Sequence, residues 1–166
     1  MRPWLRKLVL TVHLVLSLGW VGAVLAYLAL DVVVAGGDTQ RAHAAYVALA
    51  LVGQWVIVPL AVSSLLTGIL IAVTTPWGLL RHYWVLISLL LTTVAVVVLL
   101  EHMPGVASTA EALRQADGAP VHASARPDFE HAGGGLAVLL IVTALNVYKP
   151  RGLTPYGWRH RFDSKK

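Results

Sequence analysis

Four long apolar runs, residues 8–30, 44–74, 83–102 and 131–148, alternate with shorter polar stretches along the chain. A helix rises 1.5 Å per residue, so roughly 20 apolar residues cross the hydrocarbon of a bilayer. Each run is near or above that length, and the pattern predicts helices over about 6–30, 44–74, 82–102 and 131–148. The first run follows Arg2, Arg6 and Lys7 as a signal core would, yet its 23 residues exceed such a core, which has about 7–15. The expected fold class is therefore all-α: a four-helix transmembrane bundle forming a single membrane domain over 1–166.

The polar interruptions refine this outline. The second run carries Gln54, Pro59, Ser63, Ser64 and Thr67. Such residues are tolerated where neighbouring helices re-satisfy the backbone, so this helix is expected to face protein and to bend at Pro59. Thr75-Pro76-Trp77-Gly78 reads as a turn, and Lys149-Pro150-Arg151-Gly152 stops the fourth helix. The polar segment 103–130 contains Ser108-Thr109-Ala110-Glu111, a capping-box pattern that predicts a short surface helix over about 109–116.

Charge orients the bundle. Ten of the thirteen Lys and Arg lie at the N-terminus, in the 75–82 turn and in the tail 149–166, leaving only Arg41, Arg114 and Arg126 elsewhere. The positive-inside rule then puts both termini in the cytoplasm, as in a multi-pass protein of the inner (plasma) membrane. The tail residues Lys149, Arg151, Arg159, Arg161, Lys165 and Lys166, beside Tyr156 and Trp158, suit an anionic lipid surface. The net charge of +5 thus needs no nucleic-acid partner. A chain 57% hydrophobic and 13% charged, against about 25% charged in soluble proteins, is not one water-soluble core. With no cysteine it can hold no disulfide, thiolate metal site or covalently attached c-type haem.

Seven histidines are many for so apolar a chain. His13 lies inside the first run, on one helical face with Ser17, Trp20 and Val24, and ionisable groups at such depth are functional candidates. His102 and His131 fall at the outer ends of the third and fourth helices, each preceded by a glutamate, Glu101 and Glu130. Helix ends at one depth on antiparallel neighbours can present two ligands to one centre. His43 opens the second helix on the same side as a possible third ligand, whereas His82 begins the third helix on the inner side. Twenty residues separate His82 from His102, about 200° around a straight helix, so both cannot face one interior without a bend; this favours His102 as a ligand and His82 as an interfacial anchor, with an inner His13–His82 ligand pair as the lesser alternative. His122 and His160 read as loop and tail residues.

Beyond His131 stand Gly133, Gly134 and Gly135. Glycine costs a helix about 1 kcal/mol against alanine, but membrane helices use it where something must approach closely. Gly134 and Gly135 share the His131 face, which offers a ligand nitrogen above a flat patch. Two imidazoles without a thiolate suit a bis-histidine haem b, or copper or zinc. The glycines favour haem, the glutamates and Met103 a metal ion. Gly19 with Ala23, and Gly22 with Ala26, are small-residue pairs that permit a close helix contact or a homodimer.

Several stretches resemble an uncharacterised family of small four-helix integral membrane proteins of high-GC bacteria. They are Arg81-His82-Tyr83-Trp84-Val85-Leu86, Leu100-Glu101-His102-Met103, His131-Ala132-Gly133-Gly134-Gly135 and Val147-Tyr148-Lys149-Pro150-Arg151-Gly152. The resemblance implies the four-span topology and singles out His82, His102 and His131. His13 with Trp20-Val21-Gly22 is similar to the first helix of copper-resistance-D membrane domains and of the membrane-type protoporphyrinogen oxidase, which implies a functional His13.

The resulting expectation is a membrane-embedded b-type haem protein for electron transfer or redox sensing. His102 and His131 would be the haem-iron ligands, Gly134 and Gly135 the porphyrin platform, and His13 an inner ligand, a proton group or a hydrogen bonder to a quinone or other redox partner. Set against it are a copper- or zinc-handling protein using His102, His131, His43 and the glutamates, and a structural subunit of the bilayer. Nothing in the sequence decides whether the protein is an enzyme.

Overall fold

The computed structural model describes residues 2–36, 38–75, 78–115 and 127–163, with side chains through Arg159. Its helices are α1 (Pro3–Ala35), α2 (Thr39–Val52), α3 (Val58–Thr74), α4 (Tyr83–Gln115), α5 (Phe129–Tyr148) and a short α6 (Pro155–Asp163). A π-helical turn, Gly53–Ile57, joins α2 to α3 into one continuous rod. Among the described residues four helical segments, α1, the α2–α3 rod, α4 and α5, are each long and apolar enough to span a membrane. The chain is an all-α four-helix bundle and a multi-pass membrane protein.

The side chains divide as a membrane requires. Trp20, Val24, Leu49, Ile57, Ala61, Val96, Met103 and Leu139 fill the interior. Leu8, Val15, Leu18, Leu25, Leu66, Val73, Leu90 and Ile141 point outward along the spans. In water that outer face would be an apolar patch far larger than soluble proteins tolerate; in lipid it costs nothing.

Besides α1, which is longer at both ends (Pro3–Ala35 against the expected 6–30), three features differ from the sequence expectation, each for a physical reason. The second span opens at Thr39 rather than 44, because the Asp38 carboxylate caps it by accepting the Arg41 amide at 2.9 Å. Within this span, Pro59 brings the π turn rather than a simple bend. Proline lacks an N–H and its ring clashes with the carbonyl four residues back. The ladder widens ahead of it, so that the Val58 N–H reaches Gly53 O. Such insertions gather at functional sites, and here the turn aims Ile57 into the bundle.

The third difference is the largest. No separate helix begins near 109; α4 runs through Pro104 to Gln115. The Ser108 hydroxyl does not cap; it donates to Gly105 O at 2.9 Å, as does Thr109. Met103, Val106, Ala110 and Leu113 form a buried stripe at helical spacing, and its burial against α2 continues the helix past the proline. At 33 residues α4 is about 50 Å long, so it overruns a hydrocarbon core of about 30 Å. His102 lies near where the core ends.

The opposite end is closed by the C-terminal segment. Lys149, at φ 45°, terminates α5 in the left-handed conformation. Thr154 then donates its amide to Arg81 O and its hydroxyl to Leu80 O, which pins the segment under the α3–α4 turn. Tyr156 and Trp158 project outward from α6, where amphipathic rings suit a membrane interface.

Candidate metal centre

The polar chemistry converges at the end of the bundle where α4 and α5 meet. His102 and His131 stack face to face, with ring centroids 4.0 Å apart and planes inclined by 20°. At the ring edges Asp128, which the sequence reading did not select, contacts a nitrogen of each. Its Oδ1 lies 2.7 Å from His131 Nδ1, and its Oδ2 lies 2.5 Å from His102 Nε2. The second contact lacks hydrogen-bond geometry, so the buried His102 Nε2 has no hydrogen-bond partner among the described residues. Donor atoms of all three side chains lie within 4.8 Å of one another.

Local structure explains how Asp128 comes to serve two histidines. It occupies the N-cap of α5, where an aspartate normally accepts an amide of the first turn, worth about 1 kcal/mol. Here the side chain makes no such bond. Asp128 and His131 are three apart and therefore on one face of the helix, which places Oδ1 against that imidazole. The same geometry turns Oδ2 toward α4 and His102.

A second layer fixes this arrangement. The Asp128 amide donates to Asp31 Oδ1 at 3.0 Å, so α1 anchors the entry to α5. Asp31 is fully buried, and its Oδ2 has no hydrogen-bond partner among the described residues. Tyr27, one turn earlier on α1, likewise buries a hydroxyl without one. A buried carboxylate and phenol cost several kcal/mol in an apolar interior unless satisfied. Their presence behind Asp128 marks the site as one where polarity is retained against stability.

Below the stacked rings a cavity of about 270 Å³ opens between α1, α4 and α5. Its roof is His102, Asp128 and His131; its walls include Trp20, Ile57, Val98, Gly134, Gly135 and Leu139. A Cβ built on Gly134 or Gly135 would meet nothing within 4 Å, so these glycines line open space rather than a tight helix contact. The short side chains of Ala95 and Val98 line the same cavity from α4.

The other candidate residues lie elsewhere. His13 sits in the α1–α3 seam, its Nδ1 2.9 Å from Thr67 Oγ1. It is eighteen residues from Asp31, about 27 Å along α1. His82 is paired through its backbone with Leu153 and lies beside Trp84 at the far end of α4, about 30 Å from His102. His43, Glu101 and Glu130 do not join the three-residue group, although Glu130 borders the cavity. Gly19 packs on Leu60 of α3, while Gly22 has no neighbour that close. His122 lies outside the described residues, as does the side chain of His160.

Asp128 was legible in one respect. Asp128-Phe129-Glu130-His131 sets a carboxylate and an imidazole at i and i+3 where a helix starts, a spacing that forces proximity. Asp31 carried no comparable signal, since an aspartate closing an apolar run looks like an interfacial end. Compared with family models, curated proteins and solved structures, the chain finds no match in any of them.

Proposed function

We propose that this protein binds a divalent first-row transition metal ion, such as zinc or copper, through His102, Asp128 and His131 at one end of a membrane bundle. The observation that carries the reading is the convergence of the three donors. Two ligands bound to one ion at about 2.0–2.2 Å stand at most about 4.4 Å apart. The three groups already lie within 4.8 Å, so small side-chain rotations complete the set. Two imidazoles and one carboxylate, with no thiolate available, suit zinc, copper or iron(II) rather than a soft-metal site. Three protein ligands leave a position for water or a substrate, as catalytic metal sites do. The buried Asp31 supports the ligands from behind by holding the Asp128 backbone. The positive-inside distribution of Lys and Arg supports a plasma-membrane protein with both termini in the cytoplasm and this site on the outer side.

A b-type haem is a second reading, favoured by Gly134 and Gly135 lining a cavity next to the two histidines. It requires the stacked imidazoles to part and take opposite faces of one iron, and the cavity to widen around a porphyrin.

One preparation separates the two. The protein purified in mild detergent and dialysed against a weak chelator is expected to retain about one zinc or copper ion per chain by elemental analysis. That content drops to background in His102→Ala and in His131→Ala. A colourless protein with no bound metal sinks the ion reading. A Soret band lost in both variants replaces it with haem.

A further inference from the structure

We infer that the cavity beneath the metal centre is the binding site for a quinol or quinone, a flat oxygen-bearing ring on an apolar tail that enters from the bilayer. This assignment rests on the proposed metal site and names what that site faces.

Four observations point to this chemistry. The first is access. Val94 and Val98 line the cavity and are 52% and 44% exposed. Apolar residues exposed along α4 and polar residues exposed at the bundle end, Glu130 and His131, thus line one cavity, which suits a membrane-soluble ligand that carries a polar end.

The second is polarity. The walls are apolar, while the hydrogen-bonding and metal-ligating groups stand together at one end, where His102, Asp128 and His131 form the roof. A ligand matching that distribution is polar at one end only. An oxygen on its leading edge can meet an imidazole, the carboxylate or an open position on the ion.

The third is shape. Gly134 and Gly135 leave one wall without side chains. A slot bounded by helix backbone accepts a planar ring face-on, and a branched saturated chain gains nothing from it.

The fourth is size. A cavity of about 150 Å³ holds benzene. The 270 Å³ here admits one substituted ring and leaves an isoprenoid or alkyl tail to trail through the mouth into the membrane. A whole lipid or a porphyrin is larger than that space.

Tryptophan fluorescence tests the assignment, because Trp20 forms part of the wall and a bound quinone quenches it. Wild-type protein in lipid nanodiscs is titrated with decylubiquinone and, in parallel, with hexadecane as a ringless chain. Saturable quenching by the quinone alone is expected, with the saturable part lost in Trp20→Phe. Gly135→Leu, which fills the slot, and Val98→Phe, which narrows it from α4, are each expected to weaken the quinone at least 10-fold while metal content stays at the wild-type value. Val98→Phe keeps the test decisive if Gly135→Leu does not fold.

Equal quenching by hexadecane, no saturation in wild type, or unchanged affinity in both filled variants overturns the assignment. Saturable quinone binding in wild type that both variants abolish, in a protein carrying no metal, removes the ion reading and leaves the ring site standing. A copurifying haem overturns the quinone and returns the cavity to the porphyrin.

Discussion

Two histidine sites of the bundle, His13 in the α1–α3 seam and the His102–His131 pair between α4 and α5, are built on opposite principles. In the α1–α3 seam the polar side chains pair with one another. The Thr67 hydroxyl donates to Ser63 O at 2.8 Å and stands 2.9 Å from His13 Nδ1. Ser17 and Ser64 pair their hydroxyls at 2.8 Å one turn away. Gly68 lies flat under the His13 ring, where a Cβ would stand 3.2 Å from Cε1. Each of these groups finds a partner within the seam, and together they hold two helices.

At the junction of α4 and α5, by contrast, several groups crowd one point and hydrogen-bonding capacity is left over. One carboxylate faces two imidazoles, and His102 Nε2, Asp31 Oδ2 and the Tyr27 hydroxyl have no hydrogen-bond partner among the described residues. A membrane interior penalises unsatisfied polarity, so a site that keeps it gives up stability that apolar packing would supply. Burial alone does not distinguish the two histidine sites; convergence does.

The largest expected effect comes from removing the carboxylate on which the outer site converges. In Asp128→Ala the imidazoles lose their common neighbour, and zinc affinity is expected to fall at least about 100-fold, the upper end of what losing even an indirect supporting group costs. Competition with a fluorescent zinc chelator reads this directly. Protons compete with the metal for imidazole nitrogen, so wild-type affinity should also decline as pH is lowered. The sign follows from ligation requiring the neutral ring and the ionised carboxylate. If Asp128→Ala binds zinc as wild type does, the cluster is only an ion pair latching α5 to α4.

A smaller effect is expected one layer back, at Asp31. Asp31→Ala strands the Asp128 amide in the interior, at a cost of about 1–3 kcal/mol. It also frees the start of α5, so zinc affinity should drop about 10- to 100-fold. Asp31→Asn keeps an oxygen that can accept the amide and should stay within a few-fold of wild type. Equal losses in the two variants would mean that the buried charge itself, not the acceptor, supports the site. Chelator competition on both variants, beside thermal unfolding, separates the outcomes.

Much of this contrast was readable before any coordinates. Run length and Lys/Arg placement specified four spans, because hydrophobic thickness acts on each segment separately. His102 and His131 were paired by the same means, since antiparallel neighbours of matched length bring their ends to one depth. The reading failed where contacts between segments decide. The Ser108–Glu111 pattern signalled a new helix, but the stripe Met103, Val106, Ala110 and Leu113 found a surface on α2 and carried α4 onward. The glutamates next to the histidines were natural ligand candidates by adjacency. Neighbours in a helix, however, point about 100° apart, and the carboxylate that arrives is Asp128, three residues away. Asp31 was hidden for a simpler reason: whether an acid at the end of an apolar run faces water or a neighbouring amide depends on a segment 97 residues later.

The smallest expected effect lies in the seam, and it sharpens the contrast from the other side. If His13 is a packing residue, its removal should be felt by helix association and by nothing else. Hydrogen bonds between membrane helices average about 0.6 kcal/mol in double-mutant cycles, because the unfolded chain in lipid also finds partners. His13→Ala, Thr67→Ala and the double variant should therefore show a coupling of about that size in reversible denaturation from mixed micelles. All three should keep zinc affinity and quinone quenching at wild-type values. His13→Ala ought to cost somewhat more than the coupling alone, since deleting the ring also opens a void above Gly68. Loss of bound metal in His13→Ala, with the fold intact, would move the functional centre 27 Å along α1 and leave His102 and His131 as the packing pair.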